Sequence, residues 1–235
     1  MKTKSIWGAP PKRIYNILKF VEDQNPHFTT CIVGCSDGKF LMPFARAHHE
    51  VTGYDIDEIA LFGGKKDFPI VQNKLRYEYN QNFVSKVYPL EKKEVLGLQK
   101  RAEIEGVKQY THLELRNFYR YPPNKKFDLV FTSCSLHYSV NKNFSLEEKI
   151  NCLKSIVKVN GYLYIDYMMA INEEDDVLYN REKFFRKGEV KRYFDDDWEI
   201  IHLKENNNPT FEGAHVDCVY DHFHKFGYLL ARRLR

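Results

Sequence analysis

Long apolar runs are missing from this sequence, and no stretch reaches the roughly 18 apolar residues of a membrane-crossing helix. The basic residues in "MKTKSIWGAPPKR" have no apolar stretch behind them, so a secretion signal is not expected and a cytoplasmic location is. Cysteine is sparse and odd in number. Cys31, Cys35, Cys134, Cys152 and Cys218 follow no framework spacing, which argues against a disulfide scaffold and suits reduced thiols. Charge of one sign is also scarce: the net charge is +4 with no dense basic block, which permits nucleic acid as a partner without demanding it. Internal repeats and low-complexity tracts are absent as well.

What is present is 235 residues with 43% hydrophobic content, enough for one sizeable core and a single domain over 1–235. Aromatics reach 15%, many of them Tyr beside Asn or Lys, which fits a polar, aromatic-lined pocket or simply a Tyr-rich core and surface. Pro10 and Pro11 can open a helix that Ile14, Ile17, Leu18 and Val21 continue at helical spacing. "FTTCIVG", "EVTGYDID", "YTHLEL", "KFDLVFTS" and "GYLYIDYMM" read as strands. Between them come helical patterns in "KFLMPFARAHH", "EKKEVLGLQKRAEIEGV" and "SLEEKINCLKSIVKV". The alternation predicts parallel βαβ units. "DWEIIHLKE" and "KFGYLLARRL" have no helix-length segment between them and can pair as a terminal hairpin. The expected fold is therefore α/β, a doubly wound, mostly parallel seven-stranded sheet with a C-terminal antiparallel hairpin. Residues 58–90 interrupt the alternation. An insertion of that size is expected to be a lid over the site or to hold structure of its own. Its aromatics and lysines fit a lid, an RNA-facing surface or an amphipathic helix.

The stretch "VGCSDGKF" sets two glycines, Gly34 and Gly38, after an apolar strand. Glycines there let the backbone approach a ligand, and the next helix start offers free N–H groups. Asp55 ends the following strand about twenty residues on, where an acid accepts hydrogen bonds from ribose hydroxyls. Loop and acid together predict a ribose-bearing cofactor.

On these residues the chain resembles the class I S-adenosylmethionine (SAM)-dependent methyltransferases, whose first motif commonly runs "LDLGCGTG". "CIVGCSDG" departs from it twice: Ile32 replaces the usual acid, and Ser36 replaces the middle glycine. Asp37 is the nearby acid that could stand in for the missing one, and serine fits the turn with a negative φ. The resemblance implies Rossmann-like architecture, SAM as cofactor and a cofactor site made of Gly34, Cys35, Ser36, Gly38, Asp55, Ile56, Asn117, Phe118 and Ser133. It sets Asn117 and Phe118 of "LELRNFYRYPP" beside adenine, with the Asn117 amide oxygen accepting from the adenine amino group. "FDLVFTSCSLHYS" and "VKVNGYLYIDY" match later segments, and the C-terminal third is similar to the tellurite-resistance, TehB-like branch, with its late His-x-His before a "LLARK"-like strand.

The resemblance implies a methyl acceptor near His137 and Tyr138, which follow the fourth strand, and imidazole titrates in the range of a general base. Asp166 and Tyr167 are weaker candidates at the exit of the fifth strand. In "AHVDCVYDHFHKFG", His222 and His224 alternate and so share one face of a strand. They are taken as lining the acceptor site together with His137 and Tyr138. His215, Asp217, Cys218 and Asp221 lie nearby, and metal ligation is conceivable. No helical His-x-x-x-His or Cys-x-x-Cys spacing is present, however, and no metal is expected. The leading expectation is a methyltransferase for a small-molecule acceptor. The "HYS" after the fourth strand is also similar to cap guanine-N7 enzymes, so an RNA methyltransferase stays open. A non-catalytic SAM-binding regulatory protein stays open too, because the loop has lost an acid and a glycine.

Overall fold

The computed structural model describes residues 2–72, 76–137, 143–172 and 184–235. Its main sheet runs through strands β1 (Thr29–Val33), β2 (Glu50–Asp55), β5 (Thr111–Leu115), β6 (Phe127–Ser133), β7 (Val157–Met169), β8 (Trp198–Glu205) and β10 (His222–Arg233). The spatial order is β5-β2-β1-β6-β7-β10-β8. The first five are parallel, whereas β10 lies antiparallel between β7 and β8. The seven expected strands form this path. A short eighth, β9 (Thr210–Glu212), pairs with β10 and was not foreseen, since three residues carry too little periodicity to read.

Strand pleating divides the core. Cys31 and Val33 of β1, Val130 of β6, and Leu163 and Ile165 of β7 enter one apolar cluster, with Leu146, Ile150 and Leu153 of helix α5 (Leu146–Ser155). The alternate residues Ile32, Leu129, Phe131, Tyr162 and Tyr164 enter the other, with Ile14, Ile17 and Val21 of α1 (Lys12–Glu22) and Phe44 of α2 (Leu41–Arg46). A two-residue period places successive side chains on opposite faces, so helices are needed on both. Ser145 and Glu148 start α5 with reciprocal side-chain-to-backbone bonds, a full capping box. Pro43 sits in the first turn of α2, where its missing N–H breaks no helical bond.

Three expected helices are shorter than the sequence pattern implies, and α2 ends at Arg46, short of His48 and His49. Helix α5 stops at Ser155, and Val157–Val159 belong to β7. The helix read over 91–107 begins only at Leu98, as α4 (Leu98–Ile104), and Leu90–Val95 form β4. Strand β4 pairs antiparallel with β3 (Gly64–Pro69), setting Lys65 opposite Glu94 and Asp67 opposite Lys92. Opposite charges across a ribbon stabilise the pairing, and the same E-K-K-E run mimics helical charge spacing when read in one dimension. Gly97 separates strand from helix at φ 76°, where an added Cβ would stand 2.3 Å from the Gly63 amide. The 58–90 insertion thus holds structure of its own: α3 (Glu58–Phe62), β3 and the start of the ribbon.

Candidate active site

The neighbours of β1 are β2 on one side and β6 on the other, so the sheet order reverses there. In open α/β sheets ligands bind outside the strand C-termini at such a point. A cavity of ≈ 610 Å³ opens at this place, floored by the loops after β1, β2 and β6 and walled by the N-terminal arm and the C-terminal hairpin.

At one end lie Gly34, Cys35, Ser36, Asp55, Ile56, Asn117, Phe118 and Ser133, eight of the nine residues expected to bind cofactor. Gly34 takes φ 71°, and a Cβ there would stand 2.7 Å from the Ser135 Cβ, so the backbone runs where no side chain fits. Gly38 does not line the cavity. At φ 89° its missing side chain makes room for Leu98 of α4, so its part is packing.

The Asp55 carboxylate accepts from the Ser36 amide at 2.6 Å through Oδ2 and from the Ile56 and Asp57 amides through Oδ1 at 2.8 and 2.9 Å. Burial raises its pKa, and the three amides oppose the rise. The Asn117 amide oxygen accepts from the Tyr119 and Arg120 amides at 3.1 and 3.3 Å. It closes its own turn, which competes with the adenine contact expected of it. Phe118 is buried between Tyr54 and Tyr119, with ring centroids 5.4 and 5.5 Å away.

Two expectations about the loop are corrected. Ser36 has φ 47°, not a negative value, and so occupies the left-handed region that glycine adopts freely. A Cβ in that region costs about 1–2 kcal/mol. In return its Oγ accepts a 2.8 Å bond from the Trp7 indole N–H. Asp37 does not stand in for the missing acid either. It is buried, and its carboxylate accepts from Ser5 Oγ at 2.6 Å and the Ile6 amide at 2.8 Å, with Arg101 Nη1 at 3.1 Å. Asp37 ties down the N-terminal arm instead.

At the other end, Arg13, Lys39, Asp166, Glu212, His215 and Tyr228 line the wall. Arg13 of α1 reaches Asp166 of β7 at 2.5 Å and lies over the Tyr228 ring at 4.5 Å. Asp166 also accepts from Ser133 Oγ at 3.0 Å. Burial raises its pKa while Arg13 opposes the rise. Lys39 is pushed down by burial. Trp7 stands over both ends, bonded to Ser36 and 5.2 Å from the His215 ring.

The insertion closes against the hairpin rather than standing apart. Lys66 pairs with Asp57 and, at 3.0 Å, with Asp217; Tyr88 donates to Asp221 Oδ2 at 2.9 Å; Tyr77, Tyr79 and Phe83 pack on Phe211 and Phe223. Lys66 itself faces the cavity.

The four residues expected to be catalytic fall differently. Tyr138 lies outside the described residues. His137, His222 and His224 do not line the cavity, and the last two stand beside Glu212, which does. His137 is only half-buried overall, yet its Nδ1 is sealed from solvent. Burial, then His224 and Lys149, push its pKa down to about 3. His224 Nε2 lies 3.2 Å from Glu212 Oε2, and His222 Nε2 3.9 Å from the same oxygen. Glu212, Arg13 and Trp7 were not singled out from the sequence. Glu212 carries no motif; only the β9–β10 pairing brings it opposite His222.

No protein-family model matches the chain, and no curated sequence is similar to it. Solved structures are. Crystalline TehB from Haemophilus influenzae superposes with TM-score 0.60 at 16% identity, over 95% of this chain and 63% of TehB. This chain therefore spans under two thirds of that protein. The magnesium protoporphyrin IX methyltransferase ChlM from Synechocystis PCC 6803, solved with bound S-adenosylhomocysteine (SAH), gives 0.58 at 16% identity, over 94% of this chain and 82% of ChlM. A structure described for conversion of a disulfide bond into a thioacetal group during echinomycin biosynthesis gives 0.60 at 13% identity, over 97% of this chain and 86% of the other. The architecture is thus the Rossmann-like α/β fold that these solved structures share, the methyltransferase ChlM among them.

Proposed function

We propose that the protein is a SAM-dependent methyltransferase for a small-molecule acceptor. The observation that carries this reading is the cavity itself. Its loop end joins the Gly34–Ser36 backbone to the Asp55 carboxylate and Phe118, and it continues without interruption to a polar end between α1 and the hairpin. The site suits the cofactor: Gly34 leaves a channel that a Cβ would fill, and the partly buried Asp55 offers carboxylate oxygens to ribose hydroxyls. When bound, SAM supplies an electrophilic methyl group on a sulfonium.

The chain's own part is to align and to exclude water. Alignment of reactants can supply roughly 7–11 kcal/mol of a barrier. Asp55 holds the ribose side, Phe118 covers the adenine side, and Trp7 closes over the loop. Arg13, locked by Asp166, presents a fixed cation beside the acceptor, while His215 and Asp166 face it as the groups able to take its proton. His137 remains neutral far below ordinary pH, and we assign it, with His222 and His224, to support of the wall rather than proton transfer.

Calorimetric titration with SAM, SAH and NAD tests the assignment. Binding of the first two without NAD is the expected result. Binding of neither sulfur nucleoside overturns it. A steep fall of acceptor affinity with salt would instead move the acceptor class to RNA, since phosphate contacts release counterions.

A further inference from the structure

The cluster at the β9–β10 pairing has the composition of a metal centre. We propose that Glu212, His222 and His224 form a site for a divalent first-row transition ion of the Zn(II) type. Their ligand atoms all lie within 4.8 Å of one another. Tetrahedral coordination at about 2.0–2.2 Å separates neighbouring ligand atoms by about 3.3–3.6 Å. The 3.2 and 3.9 Å between Glu212 Oε2 and the two Nε2 atoms bracket that range.

The scaffold orients these atoms. In the ladder His222 faces Glu212 and His224 faces Thr210, which sets both imidazoles and the carboxylate on one face. His222 Nδ1 lies 2.9 Å from the Tyr220 carbonyl oxygen. A carbonyl can only accept, so Nδ1 carries the proton and the lone pair is on Nε2, toward Glu212. Metal-ligating histidines are commonly held in this way by a backbone carbonyl on the other ring nitrogen. The 213–221 turn is fixed in its own right: Asp221, buried, accepts from the Ala214 amide at 3.0 Å and from Tyr88, while His215 and Cys218 exchange backbone bonds at 2.8 and 3.0 Å.

A second grouping, His215, Cys218 and His222, has comparable spacing. It needs the Nδ1 lone pair of His222 on the Cys218 side, where Sγ stands at 3.4 Å, and the Tyr220 bond removes that lone pair. The Glu212 triad is favoured. His215 Nε2, 3.8 Å from Glu212 Oε1, is placed to become a fourth ligand or to leave an open position. Two imidazoles and one carboxylate select against Mg(II) and Ca(II), which prefer all-oxygen shells. Because Glu212 and His215 also line the cavity, the ion would sit at its acceptor end; that consequence alone rests on the methyltransferase reading.

The test uses the full chain, stripped with a chelator and titrated without SAM, so its outcome is independent of cofactor binding. Zn(II) is titrated calorimetrically, and Co(II) serves as the spectroscopic probe. One equivalent of saturable binding is expected, with visible d–d absorption and no near-ultraviolet thiolate charge transfer. His224→Ala and the nearly isosteric Glu212→Gln should each weaken binding at least about 100-fold, since even outer-shell changes cost 10–100-fold. Cys218→Ser should leave it unchanged. Circular dichroism and a metal-free thermal melt verify folding, and if His224→Ala fails to fold, Glu212→Gln decides alone. The proposal is overturned by absence of saturable binding in folded wild type, by unchanged affinity in folded Glu212→Gln, or by loss of binding in Cys218→Ser.

Discussion

The two ends of the cavity are built on different principles. The loop end is local: Gly34 and Ser36 follow β1, Asp55 ends β2, Phe118 follows β5, and the key bonds run from side chain to backbone within or between adjacent strands. The polar end is assembled across the chain. Arg13 meets Asp166 from 153 positions away, and Glu212 reaches the wall only through a three-residue strand. Backbone geometry at a sheet switch point serves any ligand of the same cofactor class, whereas long-range side-chain pairs can differ freely in what they accept. The loop end therefore carries what is general to the fold, and the polar end what is particular to this protein.

The comparison breaks first at Asp55. Asp55→Ala removes charged acceptors worth about 1.5–3 kcal/mol each, so SAM and SAH affinity should fall roughly 100-fold while circular dichroism stays native. Unchanged affinity in the folded variant would show that the ribose is held elsewhere.

Arg13→Ala should act at the opposite end. It strands Asp166 in the wall, where breaking a buried pair costs about 3–5 kcal/mol. Arg13 is itself 37% exposed, so solvent screening reduces this to about 1–3 kcal/mol. Thermal melts should show that loss, with acceptor turnover falling and cofactor affinity nearly constant. An equal loss of cofactor affinity would erase the distinction between the two ends.

Ser36→Gly separates conformation from contact. Glycine relieves the positive φ, yet it gives up the Trp7 hydrogen bond, worth about 0.5–1.5 kcal/mol. The two effects should nearly cancel in stability. Trp7→Phe, which loses the bond and keeps the strain, should be about 1 kcal/mol less stable by denaturant titration and bind SAM several-fold more weakly. A Trp7→Phe variant as stable as wild type would remove Trp7 from the loop's support.

His137 supplies an effect confined to acid pH, where no readout near neutrality is touched. Its pKa is near 6.5 in an unfolded chain and about 3 when folded, so between these values the unfolded state binds more protons. Its contribution to stability is complete above about pH 6.5 and is lost as pH falls toward 3. His137→Asn should flatten that part of the stability profile. It should leave no inflection missing near neutrality in the rate profile, and a lost inflection would restore His137 as a base.

Much of the fold was legible because burial on both faces of a sheet writes itself into short apolar runs, as in "TTCIV" and "FDLVFTS". The β4 ribbon was not, since "LEKKEV" is solvated and its charges satisfy helix and ribbon spacing alike. In the site, Gly34 and Asp55 could be read from spacing along consecutive strands. Trp7 and Arg13 could not, because each acquires its role from a partner distant in the chain, Ser36 and Asp166; Glu212 could not, because the three-residue strand that sets it opposite His222 carries too little periodicity to read.

By itself, then, the order of residues determined the alternation of strands and helices, the terminal hairpin and the loop-and-acid pair, all of which depend on periodicity or short spacing. Only the tertiary structure decided the left-handed Ser36, the capture of Asp37 by the N-terminal arm, the absence of His137 from the cavity lining and the meeting of Glu212 with His222 and His224. These depend on which surfaces meet when the sheet closes, and such contacts leave no period in the sequence to announce them.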